Sequence, residues 1–293
     1  LEVNEKLPFV HGLENTIHIS EVDMVIEGEH EGLTEFPSIV AGPVEEQIAE
    51  SIVDRMTNGA CIQLGVGGMP DAIGKLIAES ELKDLGIHTE LLVNAYLDMH
   101  KAGKITNLNK HDIMRGKSVF SIAHGTKELF DWVADNPSMC CAPINYVNDL
   151  SVIGEIDNFV SINSCIAVDL FGQISAESAG TRHISGTGGQ LDFLTAGFKN
   201  PRAQSFIALP STYTDKKGNL HSNIKPTFTG GDIITDPRSQ AYTMVTEYGI
   251  ENLAGASVWE RAEKLISLAH PDFREELIES AKKVNVWRQS NKR

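Results

Sequence analysis

The chain has 293 residues, with 40 Asp and Glu against 25 Lys and Arg and a formal net charge of −15. Hydrophobic residues make up 41% and charged residues 22%, the balance of an ordinary folded protein of one large or two ordinary domains with a sizeable core. The acidic balance argues against nucleic-acid binding and against attachment to an anionic membrane, which both need a positive field, and no apolar run approaches the ~18 residues of a membrane span.

The acidity is local. From Leu7 to Asp54 there is no Lys or Arg, and the carboxylates from Glu14 to Asp54 contribute −11, leaving −4 for the rest of the chain. Residues 1–43, punctuated by Pro37, Gly42 and Pro43, read as an acidic connector, and residues 44–293 as the folded domain. Val44, Ile48, Ile52 and Met56 recur at four-residue steps before Gly59, which predicts a helix over 44–58. Ala60 to Leu64 reads as a short buried strand running into Gly65-Val66-Gly67-Gly68-Met69-Pro70, where Pro70 suits the first turn of a helix. Gly86 to Leu92 is the next strand, followed by a helical stretch at Tyr96 to Lys101, a strand at Lys117 to Ile122, and a helix capped by Thr126 and running to Asn136. This alternation predicts an α/β layer structure with a mainly parallel sheet flanked by helices.

From Phe159 the pattern changes. Phe159 to Ile162, Ile166 to Leu170 and Gln173 to Ala176 are closely spaced strands with a turn at Gly172, which predicts an antiparallel patch. A second glycine loop, Gly186-Thr187-Gly188-Gly189, precedes strands at 204–209 and 241–246. Ser257 with Glu260 forms a capping box, and beyond Pro271 a second amphipathic helix runs through Ile278 to Val284.

The cysteines, Cys61, Cys140, Cys141 and Cys165, show no C-x-x-C pair; they read as reduced, buried small hydrophobes in a cytoplasmic protein. A strand, then Gly65-x-Gly67-Gly68, then a helix, with Glu90 further on, imitates a dinucleotide-binding fingerprint, but Pro70 stands where the third glycine belongs. No G-K-[ST] follows either glycine loop, so no Walker phosphate loop is present. The competing reading centres on Glu90, near the end of an apolar strand. A carboxylate there can attack a carbonyl carbon and form an anhydride, provided water is excluded and the oxyanion is stabilised. The amides of Gly186 to Gly189 can supply that stabilisation, because glycine lets the main chain approach a substrate closely. His88 alternates to the same strand face as Glu90 and either tunes it or is a packed histidine. Asp71 and Asp192 serve helix dipoles or turns, and Arg182, Lys199 and Lys225 are surface cations or phosphate contacts.

Five segments in order, Ile62 to Ile73, Gly86-Ile-His-Thr-Glu90, Ser161-Ile-Asn-Ser164 with Val168-Asp169 and Gly172-Gln173, Ser185-Gly-Thr-Gly-Gly-Gln-Leu-Asp-Phe193, and Ala269-His-Pro-Asp-Phe-Arg274, closely resemble the acetyl-CoA hydrolase/transferase family of the family I CoA-transferases. The likeness is greatest to the butyryl-CoA:acetate and 4-hydroxybutyrate CoA-transferase branch and covers roughly the C-terminal two-thirds of such a protein. The resemblance implies a layered α/β fold of the CoA-transferase type and a ping-pong transfer of CoA between a short-chain acyl-CoA and a carboxylate such as acetate, through an acyl-glutamyl anhydride and a glutamyl-CoA thioester. No metal or tightly bound cofactor is implied; CoA is substrate and covalent intermediate. By motif, Glu90 is the nucleophile, Asn163 an amide that positions it, and Gly186, Gly188 and Gly189 the loop facing the thioester oxygen and CoA, while Gly65, Gly67 and Gly68 lie near the acyl group or the pantetheine arm. The resemblance further implies a homo-oligomer or association with a separate N-terminal domain chain. Acyl-CoA hydrolysis by the same glutamate, and a non-catalytic subunit of the same fold, are the alternatives.

Overall fold

The computed structural model describes residues 1–293 except 112, 199, 241 and 293. Its centre is an eight-stranded sheet formed by β1 (Cys61–Leu64), β2 (Gly86–Val93), β3 (Ser118–His124), β4 (Met139–Cys141), β5 (Phe159–Ser164), β6 (Gln204–Ala208), β7 (Thr243–Thr246) and β8 (Gly249–Asn252). The spatial order is β8-β7-β6-β5-β1-β2-β3-β4. Every neighbouring pair is parallel except β7 with β8. The chain therefore winds outward in one direction from β1 to β4 and in the other from β5 to β8, and the reversal falls between β1 and β5.

Helices cover both faces. On one lie α1 (Pro43–Val53), α2 (Gly68–Glu79), α3 (Asn94–Lys101) and α4 (Lys127–Val133). On the other lie α5 (Ile144–Val147), α6 (Leu150–Gly154), α7 (Gln190–Ala196), α8 (Val258–Ser267) and α9 (Pro271–Lys283). The strands show how the layers divide: Phe206 and Ala208 of β6 enter the core with Ile48, Ile73 and Leu129, whereas Ile207 between them enters the core with Leu194, Leu265 and Leu277. This is the two-residue period of a strand buried on both faces. Gly74 of α2 faces Ala95 of α3 so closely that a Cβ would overlap it, which fixes how tightly these helices cross.

The structure corrects the expected antiparallel patch. Phe159–Ser164 is a central parallel strand between β1 and β6; only Ala167–Asp169 and Ile174–Ser175 pair antiparallel, across the turn where Gly172 has φ +84°. Helix α1 stops at Val53, and α4 at Val133. Thr126 occupies the N-cap of α4 without a side-chain capping bond. Pro271 begins α9 rather than merely ending the helix before it. The capping box of α8 is present, with Ser257 N–H donating to Glu260 Oε2 at 2.8 Å. Of the expected strand at 241–246, position 241 lies outside the described residues.

Residues ahead of α1 are mainly extended and exposed. Cys141 N–H donates to the His11 carbonyl at 2.8 Å and Leu13 N–H to the Cys141 carbonyl at 2.9 Å, so this segment covers the otherwise open edge of β4. No helix among the described residues is long and apolar enough to cross a membrane.

Candidate active site

The crevice beyond the carboxyl ends of β1 and β5, at the reversal of strand order, is where open α/β sheets bind ligands. A cavity of about 420 Å³ lies there, lined by the ends of β1 and β5, by Glu90 and Leu91 within β2, and by the second glycine loop. Strand β1 stops at Leu64 after pairing with only Gly86 and Ile87 of β2. From His88 on, β2 pairs with β3 alone among the described residues, and Glu90 lies in that stretch. Glu90 is thus not at the end of its own strand; it reaches the cavity because its neighbour ends first.

Its carboxylate is held. Asn148 Nδ2 donates to Glu90 Oε2 at 2.8 Å and lies 3.5 Å from Asp192 Oδ2, so one amide bridges two carboxylates. Burial pushes the Asp192 carboxyl up, and the charge of Glu90 adds to this against the lowering effect of Asn148. Asn148 is the C-cap residue of α5, and that short helix is anchored from below: the buried His88 donates from Nε2 to the Val147 carbonyl at 2.8 Å. A carbonyl only accepts, so His88 carries its proton on Nε2, and burial pushes its pKa down to about 3. His88 therefore bears on Glu90 through the backbone that carries Asn148.

The second glycine loop closes over the carboxylate. Gly189, the N-cap of α7, lies so near that a Cβ would overlap Glu90 Oε2 and Asn148 Nδ2, and one on Gly188 would sit 3.6 Å from Glu90 Oε1. The loop hangs from Glu177: Ile184 and Ser185 N–H donate to its carbonyl at 2.8 and 3.2 Å, and Thr187 Oγ1 donates to its Oε2 at 3.0 Å. A smaller cavity of about 400 Å³ lies on the other side of this loop, lined by Asn145, Asn148, Thr187 and Asp192, and shares Glu90, Gly188 and Gly189 with the first. Glu90 is reached from two sides.

Of the residues singled out in the sequence, Glu90, Asn163, Gly65, Gly186, Gly188 and Gly189 line the main cavity together. Gly67 and Gly68 do not: Gly67, at φ +117°, caps α2, and Gly68 backs onto Ile39. Gly65 approaches the Asn163 side chain closely, where a Cβ would meet Oδ1 at 3.1 Å. The Asn163 amide is engaged with Gln63 in both directions, at 3.1 and 3.0 Å, and with Ser161 Oγ at 3.0 Å; the amide bonded to Glu90 is that of Asn148. Asp71 accepts from Ile39 N–H at 2.7 Å. Arg182 is exposed on a small hairpin, Lys225 pairs with Asp232 at 3.3 Å, and Lys199 lies outside the described residues. Burial raises all four thiols, Cys61 to about 11, which disfavours thiolates at neutral pH. Asn148 and Glu177 were missed by the sequence reasoning. The only local cue for Asn148 is its place before Asp149, whose Oδ1 caps α6 at 2.6 and 3.2 Å.

A doubly wound, mainly parallel sheet with a carboxylate under a glycine loop at its switch point places the chain among the open-sheet α/β proteins, whose ligand crevices lie outside the carboxyl ends of the strands. The profile of the acetyl-CoA hydrolase/transferase C-terminal domain matches residues 125–281, and the chain belongs to that family. It is 51% identical over its whole length to the butyryl-CoA:acetate CoA-transferase of Anaerostipes caccae, of which it spans 66%. It is 40% identical over 96% of its length to the 4-hydroxybutyrate coenzyme A transferase of Clostridium kluyveri, of which it spans 64%. The crystal structure of RipA from Yersinia pestis superposes with a TM-score of 0.86 at 40% identity, covering 97% of this chain and 62% of that one. The chain thus spans about two-thirds of the length of the relatives it matches.

Proposed function

We propose that the chain carries the reacting centre of a CoA-transferase acting between a short-chain acyl-CoA, of the butyryl or 4-hydroxybutyryl kind, and a carboxylate such as acetate. The observation that carries this reading is the Glu90 carboxylate, fixed by Asn148 under the Gly188-Gly189 backbone at the meeting point of two cavities. An acyl-CoA needs two such places, one for the acyl chain and one for the thiol arm.

In this reading a Glu90 oxygen attacks the thioester carbonyl carbon, a C–O bond forms, the C–S bond breaks, and CoA leaves as its thiolate. The thiolate attacks the Glu90 carbonyl of the anhydride, giving glutamyl-CoA thioester and releasing the acyl group as a free carboxylate. Acetate then attacks the glutamyl thioester and the steps run in reverse, with no net gain or loss of protons. Each attack builds negative charge on a carbonyl oxygen, and backbone amides of the glycine loop are the donors at hand. A carboxylate is a weak nucleophile, so the binding energy of the remote parts of CoA is realised in the transition state. Closure of the crevice protects the anhydride from water.

Hydrolysis of acyl-CoA uses the same residues with water in place of acetate, and the family description covers both reactions. The test is product analysis with butyryl-CoA, with and without acetate. Acetyl-CoA formed only with acetate, and lost in Glu90→Gln, supports transfer. Free CoA formed at the same rate without acetate would move the reading to a hydrolase, and turnover that survives Glu90→Gln would overturn the assignment of the glutamate.

A further inference from the structure

The main cavity has a charge pattern that its shape does not require. Besides Glu90 its wall carries a second carboxylate, Glu177, which is 7% exposed and makes no ion pair among the described residues. No Lys, Arg or His is found among the described residues that line it. The remaining wall is formed by Leu64, Val66, Leu91, Ile166, Ile184 and Phe193 together with neutral polar groups. Behind it the buried Asp236 accepts from Gln190 Nε2 at 2.6 Å; burial pushes its carboxyl up to about 6, with the charge of Glu177 adding to the effect. The side-chain charges of the wall are therefore negative, and no cation among the described residues lining it cancels them.

We infer that Glu177 is a specificity-determining residue that restricts the acyl group to neutral chains, alkyl or hydroxyalkyl, and turns away acyl groups ending in a second carboxylate. The inference rests on the CoA-transferase reading and on placing the acyl chain of a thioester poised at Glu90 in this cavity, whose largely apolar wall suits it, and the thiol arm in the smaller, more polar one. The Thr187 hydroxyl, already donating to Glu177 Oε2, cannot neutralise the charge. A carboxylate at the end of a four-carbon acyl chain would be brought within roughly 10 Å of Glu177, and at an effective dielectric of about 20 the repulsion disfavours it about tenfold or more. A hydroxyl at the same place meets an acceptor instead of a like charge. The penalty is specific because it falls on a like charge brought beside Glu177 and leaves a neutral chain of the same length untouched.

The test compares two unreactive thioether analogues of equal chain length, S-butyl-CoA and S-(3-carboxypropyl)-CoA, by calorimetric titration of the chain. The expected result is a preference of about tenfold or more for the butyl analogue. Glu177→Gln keeps an oxygen for Thr187 and should narrow that preference to about threefold or less, while Glu177→Asp, which keeps the charge, should retain it. Ile184→Lys changes an exposed residue of the rim, carries no risk to the core, and should also narrow the preference by supplying a cation. Equal binding of the two analogues by the native chain, or a preference unchanged in both Glu177→Gln and Ile184→Lys, overturns the inference and leaves the CoA reading standing. Binding of neither analogue overturns the CoA reading, and the inference with it.

Discussion

Replacing Asn148 by Ala removes the one side-chain donor found on the Glu90 carboxylate among the described residues, the Nδ2 contact of 2.8 Å. A hydrogen bond to a charged group contributes about 1.5–3 kcal/mol. Here its loss has a second effect, because the same amide stands between Glu90 and Asp192, 3.5 Å from the latter; without it the two carboxylates face each other directly. A loss of about 2 kcal/mol of positioning in the transition state corresponds to roughly a 30-fold fall in kcat, while the KM for butyryl-CoA, set by remote contacts, should change by less than about threefold. Asn148→Asp should be worse than Ala, since it adds a third carboxylate to the cluster and no donor. The assay is steady-state acetyl-CoA formation from butyryl-CoA and acetate. A kcat for Asn148→Ala within about threefold of the native value, or an Asn148→Asp variant more active than Asn148→Ala, would refute the positioning role.

Gly189→Ala places a methyl group onto Glu90 Oε2 and Asn148 Nδ2; displacement of the nucleophile by the order of 1 Å should lower kcat by about 100-fold or more. The loop ahead of this position is solvent-facing, so thermal unfolding should shift by only a few degrees, and a variant that keeps native activity contradicts the geometry. Asp236 sets a pH dependence of stability. Its folded carboxyl is raised from 3.8 to about 6, so the fold binds this proton more tightly than the unfolded chain does. The contribution of Asp236 is therefore most favourable below about pH 4 and is lost as pH rises to about 6, by up to ~3 kcal/mol. Asp236→Asn should remove that part of the pH dependence in denaturant titrations between pH 4 and 7, and an unchanged pH profile would contradict the burial of this charge.

What the sequence made legible follows from how local each signal is. The strand, glycine turn and helix at Cys61 to Glu79 and the capping box at Ser257 involve neighbours within a few residues, and they were readable. Strand β5 was misassigned because the true hairpin next to it, Ala167 to Ser175, draws Phe159 to Ile162 into the same spacing. Its continuous burial on both faces is the mark of a central parallel strand, and the polar residues within it, Ser161 and Asn163, are satisfied by Gln63 on a strand about a hundred positions away. Glu90 was found through its motif, but not the reason it is accessible, which depends on β1 ending early. Asn148 lies 58 positions from Glu90 and Asp192 a further 44 from Asn148. Only the packing of α5 and α7 on the sheet brings them together, and no local pattern encodes that. Glu177 carries no local signal either; its burial under the loop it supports makes it part of the cavity wall.

In the proposed mechanism Glu90 becomes covalently attached to CoA. Incubating the chain with butyryl-CoA in the absence of acetate, quenching in acid and mapping peptides by mass spectrometry reads this directly. The expected result is a mass increase of CoA less one water on the peptide containing Glu90, discharged when acetate is added before the quench and absent in Glu90→Gln. A CoA adduct on any other residue, or acetate-dependent turnover with no adduct on Glu90, would contradict it.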